Sequence, residues 1–162
     1  MLRLLLLAIG LLVVAGCAAQ TPAQPQPTPT LDPANVYQNP VLDLDFADPD
    51  LLKVGDTWYA YATNSANDNI RVASSTDLVE WVLGADALPD MPAWSRVGLT
   101  WAPEVTTLDG GATFLMYFVA RDRASDRQCI GLATATSPAG PFVDTLSGPF
   151  ICNPDEGGDI DA

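Results

Sequence analysis

The sequence contains no histidine among its 162 residues. Catalytic triads with an imidazole base, zinc sites with histidine ligands and histidine pH switches are therefore excluded from this chain. Carboxylates, in contrast, are plentiful, because aspartate and glutamate together number 20. Any acid–base chemistry that this chain performs must therefore run on carboxylates.

Basic residues are also scarce, with seven lysines and arginines and a net charge of −13. This charge repels the phosphate backbone, so nucleic acid is not expected as a partner. Hydrophobic residues make up 48% of the chain and charged residues only 17%, which excludes a wholly disordered protein. The 14 prolines and 12 glycines indicate many turns. We therefore expect a β-rich fold.

The N-terminal apolar run, residues 4–14, has 11 residues, too few for the roughly 20 that a membrane-spanning helix needs. It follows Arg3 and ends in Val14-Ala15-Gly16-Cys17. Small residues before a cysteine resemble the bacterial lipobox, in which the cysteine is lipidated and becomes the mature N-terminus. We predict that residues 1–16 are a lipoprotein signal peptide and that Cys17 is the lipid attachment site. The protein would then be exported and anchored in the cell envelope.

Residues 17–35 differ in composition from the rest of the chain, with five prolines among glutamines and threonines. Such a segment cannot form a helix or a sheet ladder and should stay extended. We predict a linker over residues 17–35 and a folded domain over residues 36–162.

The folded domain repeats itself. A predicted hairpin over residues 51–63 turns at Gly55-Asp56, and a similar hairpin over residues 105–119 follows about 56 residues later. Further strands are expected over residues 70–75, 82–88, 130–135 and 142–152. Four antiparallel strands that recur with a period of this length are typical of the blades of a β-propeller.

Acidic residues stand at the start of each repeat. Asp48, Glu104 and Asp161 succeed one another at nearly equal spacing, close to the period of the repeat. Since the innermost strands of a propeller line its central channel, equivalent carboxylates on successive blades would converge on one axial pocket. Asp-Pro and Pro-Glu also suit the turns before strands, and the spacing alone leaves both interpretations open.

Six short motifs occur in order from residue 39 to the last residue. They are Asn39-Pro40-Val41, Ala47-Asp48-Pro49-Asp50, the run from Ser75 to Trp81, Trp101-Ala102-Pro103-Glu104, the run from Ile130 to Phe142, and Ile160-Asp161. Together they resemble glycoside hydrolase family 43. The resemblance implies an all-β, five-bladed propeller that hydrolyses arabinan or xylan with inversion and uses three carboxylates. Neither a cofactor nor a metal ion is expected.

The resemblance also implies roles for individual residues. Asp48 resembles the general base that activates water, and Asp161 resembles the aspartate that orients the general acid. The acid itself is a glutamate on a later blade, in a Glu-Gly-Pro setting, and these 162 residues end before it. Glu156-Gly157 is not assigned this role, because it precedes Asp161.

Two further residues are expected to contact substrate. Glu104 matches the acidic residue of a Trp-Ala-Pro-acidic motif on the second blade and is expected to shape the pocket. Trp101 offers a flat apolar face for a sugar ring, although a large aromatic side chain beside a strand can equally well serve packing.

Three cysteines are present, so lipidation of Cys17 leaves a pair. Because an exported protein meets oxidising conditions, we predict a disulfide between Cys129 and Cys152, the alternative being two buried thiols.

These features predict about two propeller blades and the start of a third within residues 36–162. We expect a truncated N-terminal portion of an inverting glycosidase, anchored to the membrane by lipid, whose partners are arabinan, arabinoxylan or xylan fragments. The portion alone should be inactive, because the general acid is missing. The alternative is a non-enzymatic, surface-tethered glycan-binding lipoprotein.

Overall fold

The computed structural model describes residues 37–162. The predicted signal peptide, the Cys17 attachment site and most of the linker lie outside the described residues. Within residues 37–162, no helix is long and apolar enough to cross a membrane.

The first sheet has the order β1-β2-β3-β4, and every neighbouring pair of strands is antiparallel. Its strands are β1 (Asp50–Val54), β2 (Thr57–Ala62), β3 (Arg71–Ser75) and β4 (Val82–Leu83). The β1–β2 hairpin closes at Gly55, whose φ of +60° is the left-handed conformation that glycine adopts without steric cost. The sheet is thus a simple meander, as the sequence predicts for one blade.

The second sheet has the order β5-β6-β7 and is also antiparallel. Its strands are β5 (Ser95–Leu108), β6 (Thr113–Asp122) and β7 (Gln128–Ala135). Short 3₁₀ turns cover Asp109–Gly111 and Pro154–Glu156. The prediction that the folded domain is all-β is confirmed.

β5 is longer than the predicted strand, because it begins well before Val105, at Ser95. Its pairing with β6 is irregular on both sides of Trp101, with register shifts between Arg96 and Trp101 and between Trp101 and Glu104. Bulges of this kind bend a strand and re-aim its side chains. Here the bend lies at Ala102-Pro103.

The predicted fourth strands are wrong in their extent. β4 stops at Leu83 instead of residue 88, although Ala87 still donates a backbone hydrogen bond to the Ile70 carbonyl. The Asp86 carboxylate accepts hydrogen bonds from the N–H groups of Asn69, Ile70 and Leu88. These side-chain bonds take the place of the backbone hydrogen bonds that would continue the pairing of β3 with β4.

Residues 142–152 likewise form no continuous strand. Their backbone pairs with β7 at two isolated bridges only, from Val143 to Thr134 and from Ile151 to Ile130. Between the two bridges, the Asp144 carboxylate accepts a hydrogen bond from the N–H of Leu146, a local turn that competes with strand pairing. Cys152 lies just beyond this second bridge and is joined by a disulfide to Cys129 of β7, with their Cα atoms 4.8 Å apart.

Buried hydrophobic residues from both sheets pack into one cluster. Tyr61 and Phe142 meet edge to face with ring centroids 6.2 Å apart, and Trp94 stacks on Phe118 at 6.3 Å. Each large side chain removed from water in this way contributes roughly 1.5 to 3 kcal/mol. The cluster fixes the first sheet against the second.

Candidate active site

A pocket of about 270 Å³ lies where the segment before β1 meets the bend in β5 and the last two residues. Its lining residues are Asp48, Pro49, Asp50, Ala102, Pro103, Glu104, Asp161 and Ala162. Four of these eight carry a carboxylate, and none is basic. The structure therefore brings Asp48, Glu104 and Asp161 to one pocket, which is one of the two interpretations that their spacing leaves open.

The backbone around the pocket takes an uncommon conformation. Asp48, Ala102 and Asp161 have φ values of +50°, +38° and +57°. They are three of the six non-glycine residues with positive φ among residues 37–162. Such residues are held in this conformation only where the surrounding structure fixes it, and they cluster at functional sites.

The acidic residues that occupy equivalent positions in the two sheets are not the ones that the sequence spacing indicates. Asp50 is the first residue of β1 and pairs with Tyr61 of β2. Glu104 lies as many residues before the end of β5 as Asp50 lies before the end of β1, and it pairs with Tyr117 of β6. Each follows a proline. Glu104 is thus the counterpart of Asp50, and the counterpart of Asp48 is Ala102. The pairing of Asp48 with Glu104 is wrong, because the strand register places Glu104 level with the second acidic residue of Asp48-Pro49-Asp50.

Asp48 is exposed and accepts a hydrogen bond at Oδ2 from the Thr63 hydroxyl, 2.8 Å away. The Thr63 oxygen in turn accepts one from the Ala102 N–H at 3.0 Å. Thr63 directly follows β2, so the end of that strand is connected to both Asp48 and the bend in β5.

Asp50 accepts a hydrogen bond at Oδ2 from the Val105 N–H. Its charge also lies near Tyr61, whose hydroxyl donates to the Pro138 carbonyl at 2.6 Å. Burial, and secondarily the negative charge of Asp50, raise the pKa of Tyr61 well above its ordinary value. Tyr61 therefore stays neutral and acts as a hydrogen-bond donor.

Glu104 is exposed, and its carboxylate makes no hydrogen bond within the part of the chain that the structure describes. Trp101 is 37% exposed and precedes Ala102 in β5, but it is not among the residues that line the pocket. Glu156 lies in the exposed 3₁₀ turn at Pro154–Glu156, also outside the lining.

Asp122, Cys129 and Cys152 are the one group of potential metal ligands found among residues 37–162, with ligand atoms within 4.8 Å of one another. The two sulfur atoms are bonded to each other, so neither supplies the thiolate that a metal needs. This set therefore does not fit a metal ion.

Sequence reasoning missed Asp50 and Thr63. The repeated pattern of a residue, a proline and an acidic residue, in Asp48-Pro49-Asp50 and Ala102-Pro103-Glu104, could have identified Asp50. No sequence signal marks Thr63, because its partners lie 15 and 39 residues away in the chain.

The two sheets are similar to parts of solved β-propeller glycoside hydrolases. A crystal structure of a thermostable family-43 glycoside hydrolase superposes with a TM-score of 0.59 at 34% identity, covering 69% of this chain and 36% of that one. An endo-1,4-β-xylanase of Bacteroides thetaiotaomicron superposes with a TM-score of 0.54 at 30% identity, covering 65% and 35%. The prediction of a propeller, of which this chain forms about two blades, is confirmed.

Residues 37–162 match the family model of glycosyl hydrolases family 43, and the chain belongs to that family. It is 31% identical over 110 residues to an extracellular endo-α-(1→5)-L-arabinanase of Thermotoga petrophila, covering 59% of this chain and 22% of the relative. It is 28% identical over 106 residues to an extracellular exo-α-(1→5)-L-arabinofuranosidase of Cellvibrio japonicus, covering 60% and 29%. The chain thus spans between 22% and 36% of the length of these four proteins.

Proposed function

We propose that this chain is the N-terminal portion of an exported inverting glycosidase that acts on arabinose- or xylose-containing plant polysaccharides or oligosaccharides. The observation that carries the proposal is the presence of Asp48 and Asp161, from opposite ends of residues 37–162, in the lining of one pocket. Asp48, Ala102 and Asp161 share a left-handed backbone, which supports equivalent positions at the starts of the first, second and third repeats.

In the proposed mechanism, Asp48 is the general base and takes a proton from the water that attacks the anomeric carbon. Its exposure leaves it open to that water, and the bond from Thr63 occupies only one of its carboxylate oxygens. Asp161 orients the general acid, a glutamate contributed by a later blade. Inversion requires the base and acid carboxyls to be about 6.5 to 9.5 Å apart, which leaves room for the water.

The charge of the pocket supports a neutral, hydroxyl-rich substrate. Carboxylates accept hydrogen bonds from sugar hydroxyls, whereas four of them together repel polyanions. In this proposal Glu104 binds a substrate hydroxyl and Trp101 contributes an apolar face. The names of the arabinanase, arabinofuranosidase and xylanase relatives support the sugar class.

Export is supported by the extracellular relatives, and lipid anchoring at Cys17 rests on the lipobox-like motif. We further propose that these 162 residues alone do not hydrolyse substrate. They contain no Glu-Gly-Pro motif in which the family's general acid would stand.

The test is made on the full-length product of the gene, read beyond the codon for Ala162, where a Glu-Gly-Pro motif is expected. Asp48→Asn should lower hydrolysis of aryl arabinofuranosides or xylosides by about 100-fold or more, since no other group takes the proton. Proton NMR of the wild-type reaction should show a first product with inverted anomeric configuration.

Asp56→Asn is the matched control, because Asp56 is an exposed aspartate in the turn at the opposite end of β1. Activity of Asp48→Asn within about tenfold of the parent, or a product of retained configuration, would refute the proposal. Glycan binding without hydrolysis in the full-length protein would favour a surface-tethered binding lipoprotein.

A further inference from the structure

Thr63 makes two hydrogen bonds through one hydroxyl group. Its oxygen accepts from the N–H of Ala102 at 3.0 Å, and its proton is donated to Asp48 Oδ2 at 2.8 Å. A hydroxyl has one proton, which rotates to suit its partners. The amide donor at Ala102 occupies a lone pair, and the ionised carboxylate is an acceptor only. The direction of the bond toward Asp48 is therefore set by the chemistry of both partners.

The backbone of the same residue holds the loop that carries Asp48. The N–H of Thr63 donates to the carbonyl of Ala47 at 3.0 Å. Thr63 thus contacts the loop at two successive residues, once through its main chain and once through its side chain. Asp48 itself is exposed, and within residues 37–162 its carboxylate accepts no other side-chain hydrogen bond.

The next residue, Asn64, attaches this segment to the second sheet. Its N–H donates to the Thr100 carbonyl at 2.9 Å, and its side-chain oxygen accepts from the Thr100 N–H at 3.1 Å. Thr100 is fully buried, so this pair of bonds is a firm attachment. The segment Thr63-Asn64 therefore connects the Asp48 loop to the bend in β5 that forms the opposite wall of the pocket.

We infer that Thr63 is a positioning residue for the general base, and that its hydroxyl aims the Asp48 carboxylate at the attacking water. The inference rests on the proposed role of Asp48. A hydrogen bond to a charged acceptor is stronger than a neutral one, and it is the only side-chain hydrogen bond of Asp48 found among residues 37–162. A misdirected base slows proton transfer even when the substrate still binds.

The test compares Thr63→Val with Thr63→Ser in the full-length enzyme. Valine keeps the shape and loses both hydrogen bonds, whereas serine keeps the hydroxyl. We expect Thr63→Val to lower kcat by about 10- to 100-fold with little change in KM, because small displacements of a reacting group carry penalties of this size. Thr63→Ser should retain kcat within about threefold of the parent.

Asn64→Ala separates positioning from a general loosening of the segment. It removes the side-chain bond to Thr100 and leaves the contact with Asp48, so its kcat should remain within about threefold of the parent. Equal losses of kcat in Thr63→Val and Asn64→Ala, or failure of Thr63→Ser to restore kcat, would overturn the inference. Should Thr63→Val not fold, Thr63→Ala and Thr63→Cys are compared with Thr63→Ser in the same way.

A parallel Asp48→Asn variant distinguishes this inference from the function on which it rests. An inactive Asp48→Asn enzyme together with a fully active Thr63→Val enzyme refutes the role of Thr63 alone. A fully active Asp48→Asn enzyme refutes the proposed function itself. Amide hydrogen exchange at Ala102 provides a readout besides activity, since exchange should accelerate in Thr63→Val and not in Thr63→Ser.

Discussion

The Asp50 carboxylate accepts a hydrogen bond of 2.8 Å from the backbone N–H of Val105, which lies in the other sheet. The residue before Val105 is Glu104, the counterpart of Asp50 in the second sheet. Of two equivalent acidic residues, one therefore joins the sheets and the other keeps its carboxylate free of hydrogen bonds within residues 37–162. Asp50 thus contributes to the contact between the two sheets, whereas the Glu104 carboxylate remains available for a hydrogen bond to another molecule.

Asp50→Ala should destabilise the protein by about 1.5 to 3 kcal/mol, because the Val105 N–H loses a charged acceptor. Urea unfolding of the full-length protein measures the change. Asp56→Ala is the control, since Asp56 is exposed and occupies the β1–β2 turn. Equal stabilities of the two variants would show that the bond between the sheets contributes nothing measurable.

Glu104→Gln should raise KM in the full-length enzyme by about three- to tenfold and leave kcat within a factor of about three, as expected for loss of a charged hydrogen bond to substrate. Steady-state kinetics with an aryl arabinofuranoside or xyloside measures both constants. Trp101→Ala should also raise KM if its ring contacts the sugar. A collapse of kcat in Glu104→Gln at constant KM would instead identify Glu104 as the general acid.

The hairpins and their turns could be predicted from the sequence, because alternation and turn residues are local signals. The spacing of the acidic residues left convergence on one pocket and a role in turns both open, and it paired the residues incorrectly. Asp48 was matched with Glu104, whereas the register of β1 and β5 matches Asp50 with Glu104. Asp48 and Glu104 nevertheless line the same pocket, because the segment before β1 meets the bend in β5 there.

The parts that could not be predicted depend on bonds between distant residues. Asp86 ends the fourth strand of the first sheet by accepting backbone hydrogen bonds from a segment about 16 residues earlier. Thr63 reaches Asp48 and Ala102 only once both sheets are in place. Neither residue carries a local signal that separates these roles from an ordinary loop position.

Asp122 should make the stability of the protein depend on pH. Burial by itself would raise the pKa of this carboxyl, but hydrogen bonds from the Ser125 hydroxyl and from nearby backbone N–H groups hold the pKa below its ordinary value. A depressed pKa stabilises the folded state above the unfolded pKa of about 3.9, and this contribution is lost as the pH falls through the lower folded value. Asp122→Asn should therefore be less stable than the wild type near neutral pH. Below about pH 4, its stability should fall by less than that of the wild type.

Urea unfolding at several pH values checks this expectation. Asp109→Asn, in the exposed turn between β5 and β6, is the control. Parallel stability curves for Asp122→Asn and the wild type across the acidic range would contradict it.

Cys17→Ser should yield an exported protein that no longer partitions into membrane or detergent fractions. The expectation rests on the lipobox-like ending at Cys17, because a lipid chain supplies the membrane affinity. Cell fractionation and detergent phase partitioning measure the effect, with Cys129→Ser as a cysteine substitution outside the lipobox-like motif. Unchanged membrane association of Cys17→Ser would defeat the assignment of this residue.

Residues 36–162 expressed alone should self-associate or aggregate and show no glycosidase activity. Phe150 and Ile151 are 47% and 41% exposed, and with Tyr117 and Ile130 they line an apolar hollow of about 300 Å³ beside Glu104. A second hollow of about 450 Å³ on the first sheet contains the exposed Leu51 and Leu78 together with Trp81. Each blade of a propeller packs on its neighbours, so a portion of the ring leaves an apolar blade face uncovered, and this favours association.

Ultracentrifugation measures whether residues 36–162 self-associate, and calorimetry measures whether they unfold in one cooperative transition. A monomer with one cooperative thermal transition would show that the two sheets form an independently stable unit, and it would contradict the expected self-association. Hydrolysis of an aryl arabinofuranoside by the same sample would be the stronger contradiction, because the general acid would then have to lie within this segment. Glu104, in the pocket, and Glu156, in the exposed turn outside it, would be the first two residues to substitute, and the loss of activity in one of them would identify the acid.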